Sequence, residues 1–442
     1  MNEAGHELVS AREAAAILDV KLATLYAYVS RGLVRSVAGP NGRPRRYQRS
    51  DIERLAARRD ARRGHGAVAA GALRWGEPVL DSSITEITTA GHRYRGHNAL
   101  ELAANHTFEE IAGLLWTGAW TGASPPSSST PGPQNSRKPG PPWREAPDLE
   151  ALRRMASVLP SDTPPIATLA ALLPLMAALD LDRHLAGPRS HARARTILVT
   201  AASALDPGAT AITDREPIAS RLLVALAAPS KTGSRLRSSR RWRRKVRAVD
   251  QALILAADHE LNVSAFAVRV AASAGSDLYA CISAGLAALS GPRHGGMCDR
   301  VEALVQECGQ PERAREVIRE RTRRGDEVPE LGHPLYPDGD PRGRELLATA
   351  REIAPRNRQV RIADALARAL ARAGHQPATI DLGLVALAAA LGMRPGSAPA
   401  LFAVGRIAGW IAHTFEQRDA GFLLRPRARY RPGSMRTEES DT

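Results

Sequence analysis

Beyond residue 67 the chain is a succession of Ala- and Leu-rich segments whose apolar side chains return every three or four positions, each closed by Gly or Pro. No run of alternating β-branched residues is long enough to predict a sheet. The pattern predicts an all-α body. Its longest apolar stretch, Pro165 to Leu179, contains Pro174 and stops at Asp180. It falls short of the roughly 20 residues that cross a bilayer, and the internal proline predicts a buried helical hairpin. No membrane partner is expected. Residues 122–142 are packed with Pro, Ser and Gly and predict a flexible surface loop.

Residues 1–64 carry a different pattern and predict a small separate unit. Ser10 precedes the helical run Ala11 to Leu18, and Glu13 at its third position completes a capping box. After Asp19-Val20-Lys21, Thr24 to Arg31 predict a second helix that ends at Gly32, with Leu25 and Val29 inward and Tyr26, Tyr28 and Arg31 outward. Leu33 to Val37 and Arg45 to Gln48 flank Gly39-Pro40-Asn41-Gly42, which predicts a hairpin, and Ser50 caps a further helix from Asp51. The string from Val9 to Leu55, "VSAREAAAILDVKLATLYAYVSRGLV…GRPRRYQRSDIERL", resembles the winged helix-turn-helix of MerR-type regulators. That resemblance implies a second helix in the major groove and a wing on the phosphates, with Thr24, Tyr28, Arg43, Arg45 and Arg46 as the DNA contacts. The alternative is a unit that docks on the larger domain or on a partner protein.

Length and charge sharpen this division. At 442 residues and 43% apolar, the chain is long enough for two or three domains with a large core. Its formal net charge of +15 would ordinarily point to a polyanionic partner. However, 57 of the 61 basic residues are Arg and only four are Lys, a bias that follows genome composition, so local distribution carries more information. Residues 1–64 hold 13 basic and 7 acidic residues. Residues 229–247 hold nine basic residues and no acidic one, a pattern that fits a solvated loop or helix start better than a nucleic-acid site. Three cysteines, Cys281, Cys298 and Cys308, are too few and too odd for a disulfide framework and favour a reducing cytoplasm. Glu3, His6 and Glu7 stand where an export signal would be basic and apolar.

The candidate chemistry lies in the second half. "ADHELNVSAFAVRVAAS" begins at Ala257, "LSGPRHGGMCDRV" at Leu289, "LGHPLYPDGDPR" at Leu331 and "TIDLGLVAL" at Thr379. Taken singly, a histidine near a helix end is commonly structural, and Asp381 reads as a helix cap. The spacing of His294, Cys298 and Cys308 is not that of a zinc knuckle or ribbon, and no metal is expected. No GxxxxGK[ST] string or strand-associated GxGxxG supports nucleotide hydrolysis or dinucleotide binding.

Read in order with "LFAVGRIAGWIAHTFEQ" from Leu401, "LLRPRARY" from Leu423 and the upstream "RYRGHNALELA" from Arg93, these strings resemble the citrate synthase family across Ala67 to Tyr430. The resemblance implies an all-helical homodimer. Its large domain would comprise residues 67–293 and 391–432 and its small domain residues 294–390, with substrates in the cleft between them. It further implies Asp381 as the base that deprotonates the thioester methyl, His294 as the donor to the thioester oxygen and His333 as the group that polarises the oxoacid ketone. His259, Arg342 and Arg406 would bind oxaloacetate, and Arg425 would be supplied by the neighbouring subunit. Acetyl-CoA would be a co-substrate, with no permanently bound cofactor, and the products citrate and CoA. Two alternatives share this frame: a 2-methylcitrate synthase using propionyl-CoA, with Met297 near the acyl group, and a DNA-binding regulator that uses the body as an acyl-CoA or oxoacid sensor. The chain departs from the family where Met297-Cys298-Asp299 replaces the usual Ala-Asn-Glu, and where Pro334 follows His333.

Overall fold

The computed structural model describes residues 8–18, 20–30, 34–37, 45–49, 51–52, 80–88, 91–120, 143, 149–160, 162–184, 189–205, 216–228, 239–326, 328, 335–336, 339–372 and 379–426. The N-terminal unit comprises β1 (Leu8–Val9), α1 (Ala11–Leu18), α2 (Leu22–Ser30), β2 (Ser36–Val37) and β3 (Arg46–Gln48). The body opens with β4 (Thr85–Thr88), β5 (Gly91–Tyr94), β6 (His97–Asn98), α3 (Ala99–Asn105), α4 (Phe108–Thr117) and α5 (Leu149–Ser157). It continues through α6 (Pro165–Leu179), α7 (Arg189–Ala204), α8 (Ile218–Ala225), α9 (Arg240–Ala256), α10 (Val263–Ser273) and α11 (Leu278–Leu289). Last come α12 (Met297–Cys308), α13 (Ala314–Arg324), α14 (Pro341–Ile353), α15 (Arg358–Arg372), α16 (Ile380–Leu391) and α17 (Ser397–Ala420).

The N-terminal unit follows its pattern closely. Ser10 Oγ accepts from Glu13 N at 3.3 Å and Glu13 Oε2 accepts from Ser10 N at 2.8 Å, which closes the capping box at α1. The hairpin pairs antiparallel, Val37 against Arg46, and β1 adds on the other side of β3. Val9, Ala14, Leu18, Leu25, Val34, Tyr47 and Ile52 form its own small core. Asp51 locks the wing to it, accepting from Arg35 N at 2.8 Å and from the Arg35 guanidinium at 3.0 Å. Gly32, the hairpin tip with Arg43, and most of the helix predicted from Asp51 lie outside the described residues.

The body is helical, with two departures from expectation. A three-stranded meander, β4-β5-β6, pairs Thr85 with Tyr94 and Arg93 with Asn98. Strands of two to four residues are too short to leave a periodic signal. Pro165 to Leu179 is one helix, not a hairpin, with Pro174 inside it. Pro174 costs one backbone hydrogen bond, but Leu169, Leu172, Leu173 and Met176 are buried against neighbouring helices, and that packing holds the rod. The flexible loop expected at 122–142 lies outside the described residues. No helix among the described residues is long and apolar enough to cross a membrane.

The central element is α17, buried along most of its length and packed on α4, α9, α10, α11 and α16. Two glycines one turn apart let it approach α9. A Cβ on Gly405 would lie 2.8 Å from Leu253 O, and one on Gly409 would collide with Ala257 O. On the far side of the site, a Cβ on Gly383 of α16 would lie 2.9 Å from Gly343 O of α14. These contacts bring the end of α9 and the starts of α14 and α16 to one place.

The meander covers the end of α9. Tyr94 Oη donates to Ile254 O at 2.8 Å and accepts from Asp258 N at 3.1 Å, and His92 Nε2 lies 3.1 Å from the same hydroxyl. His92 is buried, and its Nδ1 has no hydrogen-bond partner among the described residues. Burial, and then the charge of Arg342, push its imidazole down to about 3.

Two stability predictions follow from these contacts. Gly405→Ala destabilises the body by about 1–3 kcal/mol through overpacking, read as a lower calorimetric midpoint; an unchanged midpoint would contradict the close approach. An unfolded histidine titrates near 6.5, so as pH falls from there towards about 3 the unfolded chain takes a proton that the folded chain refuses at His92, and stability declines. His92→Leu removes that term, worth about 2 kcal/mol at about pH 5. Parallel midpoint-versus-pH curves for parent and variant would refute it.

Candidate active site

The site grows from the end of α9. Asp258 and His259 follow its last turn, Glu260 adopts a left-handed φ of 55°, and Asn262 then caps α10 by accepting from Ser264 N and Ala265 N. Left-handed backbone is uncommon outside glycine and turns the chain sharply here. His259 is buried, with Nε2 2.8 Å from Tyr336 Oη. The Tyr336 ring lies beneath the Arg342 guanidinium, 5.4 Å from its Cζ.

Arg342 is held by a fork. Its Nε and Nη2 donate to Asp340 Oδ1 and Oδ2 at 2.9 and 2.8 Å, with both side chains almost fully buried. Asp340 also accepts from Arg342 N, capping α14, and from Ile380 N at 3.1 Å, at the first turn of α16. One carboxylate therefore fixes a cation and two helix starts. Burial alone would weaken the Arg342 charge, but Asp340 and then Tyr336 outweigh it and raise its proton affinity.

Asp381 is the second residue of α16, where the helix N-terminus favours a carboxylate. Its Oδ1 accepts from Cys298 Sγ at 3.0 Å and its Oδ2 from Thr379 Oγ1 at 3.2 Å. Burial raises its pKa above the usual carboxylate range, against the pull of the Cys298 and Thr379 donors and of Arg342.

His294 lies in a tight turn closed by its own N–H to Gly291 O. Its Nε2 is 2.9 Å from Ser264 Oγ, which also accepts from Trp410 Nε1 at 3.2 Å and lies 2.7 Å from Asn262 Oδ1. The hydroxyl has one proton and two acceptors in range. Directed at His294, it makes Nε2 an acceptor and Nδ1 the protonated nitrogen; directed at Asn262, it makes Nε2 the donor. Ser264 thus selects the donor nitrogen of His294. Phe402 joins this group to the next: its ring meets His294 edge-on at 6.4 Å and Arg406 Cζ at 4.8 Å. Arg406 Nε donates to Ala256 O at 2.7 Å, while its Nη1 is buried with no partner among the described residues. Burial pulls its pKa down to about 10.

A second buried chain supports the end of α9. Arg269 Nε–H donates to His413 Nδ1 at 3.2 Å, so His413 presents Nε2–H to Asp258 Oδ1, also at 3.2 Å. Thr85 Oγ1 donates to Asp258 Oδ2 at 2.6 Å. Burial opposes the Asp258 charge, but the His413 contact and Arg406 more than offset it, and its pKa is lowered.

The structure therefore brings His259, Arg342, Asp381, His294 and Arg406 into one run of contacts through Tyr336, Asp340, Cys298 and Phe402. Sequence reasoning missed Tyr336, Asp340, Ser264, Cys298, Thr379, Trp410 and His92 as parts of the site; only the Asp340-Pro341 helix start left a usable local signal. His333 lies outside the described residues, and Arg425 is exposed in the segment after α17. In the N-terminal unit Arg45 and Arg46 are exposed and Thr24 is half-buried. Tyr28, expected outward, is half-buried against the small core, while Tyr26 is 51% exposed. Face assignment by spacing alone put both tyrosines outside, but in a two-turn helix the core claims the flank that Tyr28 occupies. In the basic segment, Lys245 donates to Leu391 O at 3.0 Å and Arg244 pairs with Glu352 at 3.1 Å, both structural contacts.

Comparison with known proteins agrees with this geometry. The family described as citrate synthase, C-terminal domain matches residues 72–427, and a helix-turn-helix domain matches residues 8–60. Citrate synthase 2 of Bacillus subtilis (strain 168) is 29% identical over 371 residues, covering 80% of this chain and 94% of its own. The 2-methylcitrate synthase of Shewanella oneidensis is 26% identical over 368 residues, covering 80% of this chain and 92% of its own. The crystal structure of citrate synthase from Thermotoga maritima MSB8 superposes with a TM-score of 0.64 at 25% identity, covering 81% of this chain and 95% of that one. With the family matching most of its length, the chain belongs to the citrate synthase family and carries a helix-turn-helix domain ahead of the family's fold.

Proposed function

We propose that this protein is a citrate synthase-type acyltransferase that condenses acetyl-CoA with oxaloacetate and releases citrate and CoA. The observation that carries the reading is Asp381, a half-buried carboxylate at a helix start, tied through Cys298 to the segment bearing His294 and, through the Ile380 N–H bonded to Asp340, to Arg342. Asp381 takes a proton from the carbon next to the thioester. His294 donates to the thioester oxygen and so stabilises the enol or enolate. That carbon attacks the oxoacid ketone, His333 supplies the proton to the new alkoxide, and water cleaves the thioester to release CoA. Arg342 and Arg406 supply forked donors to the oxoacid carboxylates, His259 joins them, and Arg425 completes the site of a second copy in a homodimer. No permanently bound cofactor takes part.

Residues 67–293 and 391–432 serve as the large domain and 294–390 as the small one, with the substrates between them and water excluded on closure. A second reading, 2-methylcitrate synthesis from propionyl-CoA, is favoured by the match to the Shewanella oneidensis enzyme and by Met297, half-buried three residues after His294. The three free buried thiols fit a reducing cytoplasm. The N-terminal unit acts as a MerR-like DNA reader, with Arg43, Arg45 and Arg46 on phosphates and Thr24 and Tyr28 on the recognition helix. Intact base and donor side chains favour turnover over a purely sensory body.

Free thiol released from acetyl-CoA and propionyl-CoA in parallel, each with oxaloacetate, tests the chemistry. Asp381→Asn lowers the faster rate by about 10²- to 10⁴-fold while calorimetry still detects oxaloacetate binding; unchanged turnover would remove Asp381 from the role of base. For the N-terminal unit, a duplex mobility shift weakens when Arg45 and Arg46 become Ala, with the salt slope reduced by about one per lost contact. Absence of any shift at low salt would refute DNA binding.

A further inference from the structure

We propose that Cys298 is a positioning residue for the base: its thiol orients the Asp381 carboxylate and sets its proton affinity relative to His294. The proposal rests on Asp381 being the base. Its first support is direct contact, with Cys298 Sγ 3.0 Å from Asp381 Oδ1 and the cysteine fully buried. Its second is placement. Cys298 is the second residue of α12, and the turn that carries His294 is bonded to that helix start, Met297 N to His294 O at 3.0 Å and Cys298 N to Gly295 O at 3.3 Å. Asp381 belongs to a different helix, so the thiol is a bridge between the segment that bears the donor and the helix that bears the base. The two groups must face one thioester from fixed positions, because proton removal from carbon and donation to oxygen are coupled in the same transition state.

The third support is chemical. A donor to a carboxylate favours its ionised form and lowers its proton affinity. A thiol is a weak donor, so it restrains Oδ1 while leaving the base much of the affinity that burial confers. Thr379 holds the other oxygen by a hydroxyl at 3.2 Å, so among the described residues each Asp381 oxygen has one side-chain donor, and a change at either should alter orientation and affinity together. A merely structural cysteine would affect yield or stability and leave the pH dependence of turnover where it was.

The test follows full-length protein by loss of thioester absorbance with oxaloacetate across acidic to neutral pH, a readout that no thiol reagent distorts. Turnover requires ionised Asp381, so its acidic limb reports that carboxyl. Cys298→Ala removes the donor and shifts the limb upward by roughly one pH unit, with kcat lowered and KM for oxaloacetate within about two-fold of the parent. Cys298→Ser supplies a stronger donor and shifts the limb below the parent's. An unmoved limb in either variant, or any order other than Ala above Cys above Ser, overturns the proposal. Should the alanine variant fail to fold, the serine variant decides alone, because a limb that stays or rises contradicts the donor role. Asp381→Asn separates the two layers: an active asparagine variant sinks the base assignment and this inference with it, whereas an inactive one beside a wrong order sinks only the role of Cys298.

Discussion

Asp340 is the contact on which the site depends. It is almost wholly buried, and its two oxygens accept from the Arg342 fork, from the backbone N–H that starts α14 and from the N–H of Ile380 at the start of α16. A guanidinium cannot be buried uncompensated without a cost of several kcal/mol, and Asp340 supplies the compensation in the same stroke that orders two helix ends. Removing that carboxylate would leave a buried cation, loosen the helix that carries Asp381 and free the chain around Tyr336. Asp258 plays the matching part on the other side, where His413, Thr85 and Arg406 let a fully buried carboxylate stay charged beside His259.

These charges meet because backbones approach closely. Gly405 and Gly409 let α17 lie against the last turns of α9, and Gly383 lets α16 lie against α14. The glycines of "GRIAGW" and the one following Asp381 and Leu382 are therefore spacing devices as much as neighbours of functional groups. A side chain at any of them would push apart the segments that carry His259, Arg342 and Asp381. Catalysis by position demands tolerances of a fraction of an ångström, and small residues at helix crossings supply them here.

What was legible in the sequence and what was not divides along sequence distance. The α1 capping box, the Asp340-Pro341 helix start and the amphipathic helices rest on residues a few positions apart, and local spacing predicts them. The motif strings singled out His259, His294, Arg342, Asp381 and Arg406 as candidates, which the fold gathers into one run of contacts, because family resemblance encodes long-range geometry that periodicity does not. The partners that give those residues their properties stayed hidden: Ser264 is 30 positions from His294, Tyr336 is 77 from His259, and Cys298 is 83 from Asp381. Pro174 misled for the opposite reason. Local chemistry says that proline interrupts a helix, and tertiary burial on several sides overrode it.

The opposing influences on Asp381 explain why the site needs both burial and donors. A solvated aspartate, titrating near 4, is a poor match for a carbon acid, and burial alone can raise a carboxyl by about 3–5 units, enough to leave it protonated at neutral pH and useless as a base. Each hydrogen bond to the charged form returns about one unit of that rise. Two side-chain donors, Cys298 and Thr379, with Arg342 nearby, act against burial in this site. The Asp381 carboxyl is thereby left more proton-hungry than an aspartate in water, with its two donors and Arg342 working against the rise that burial causes.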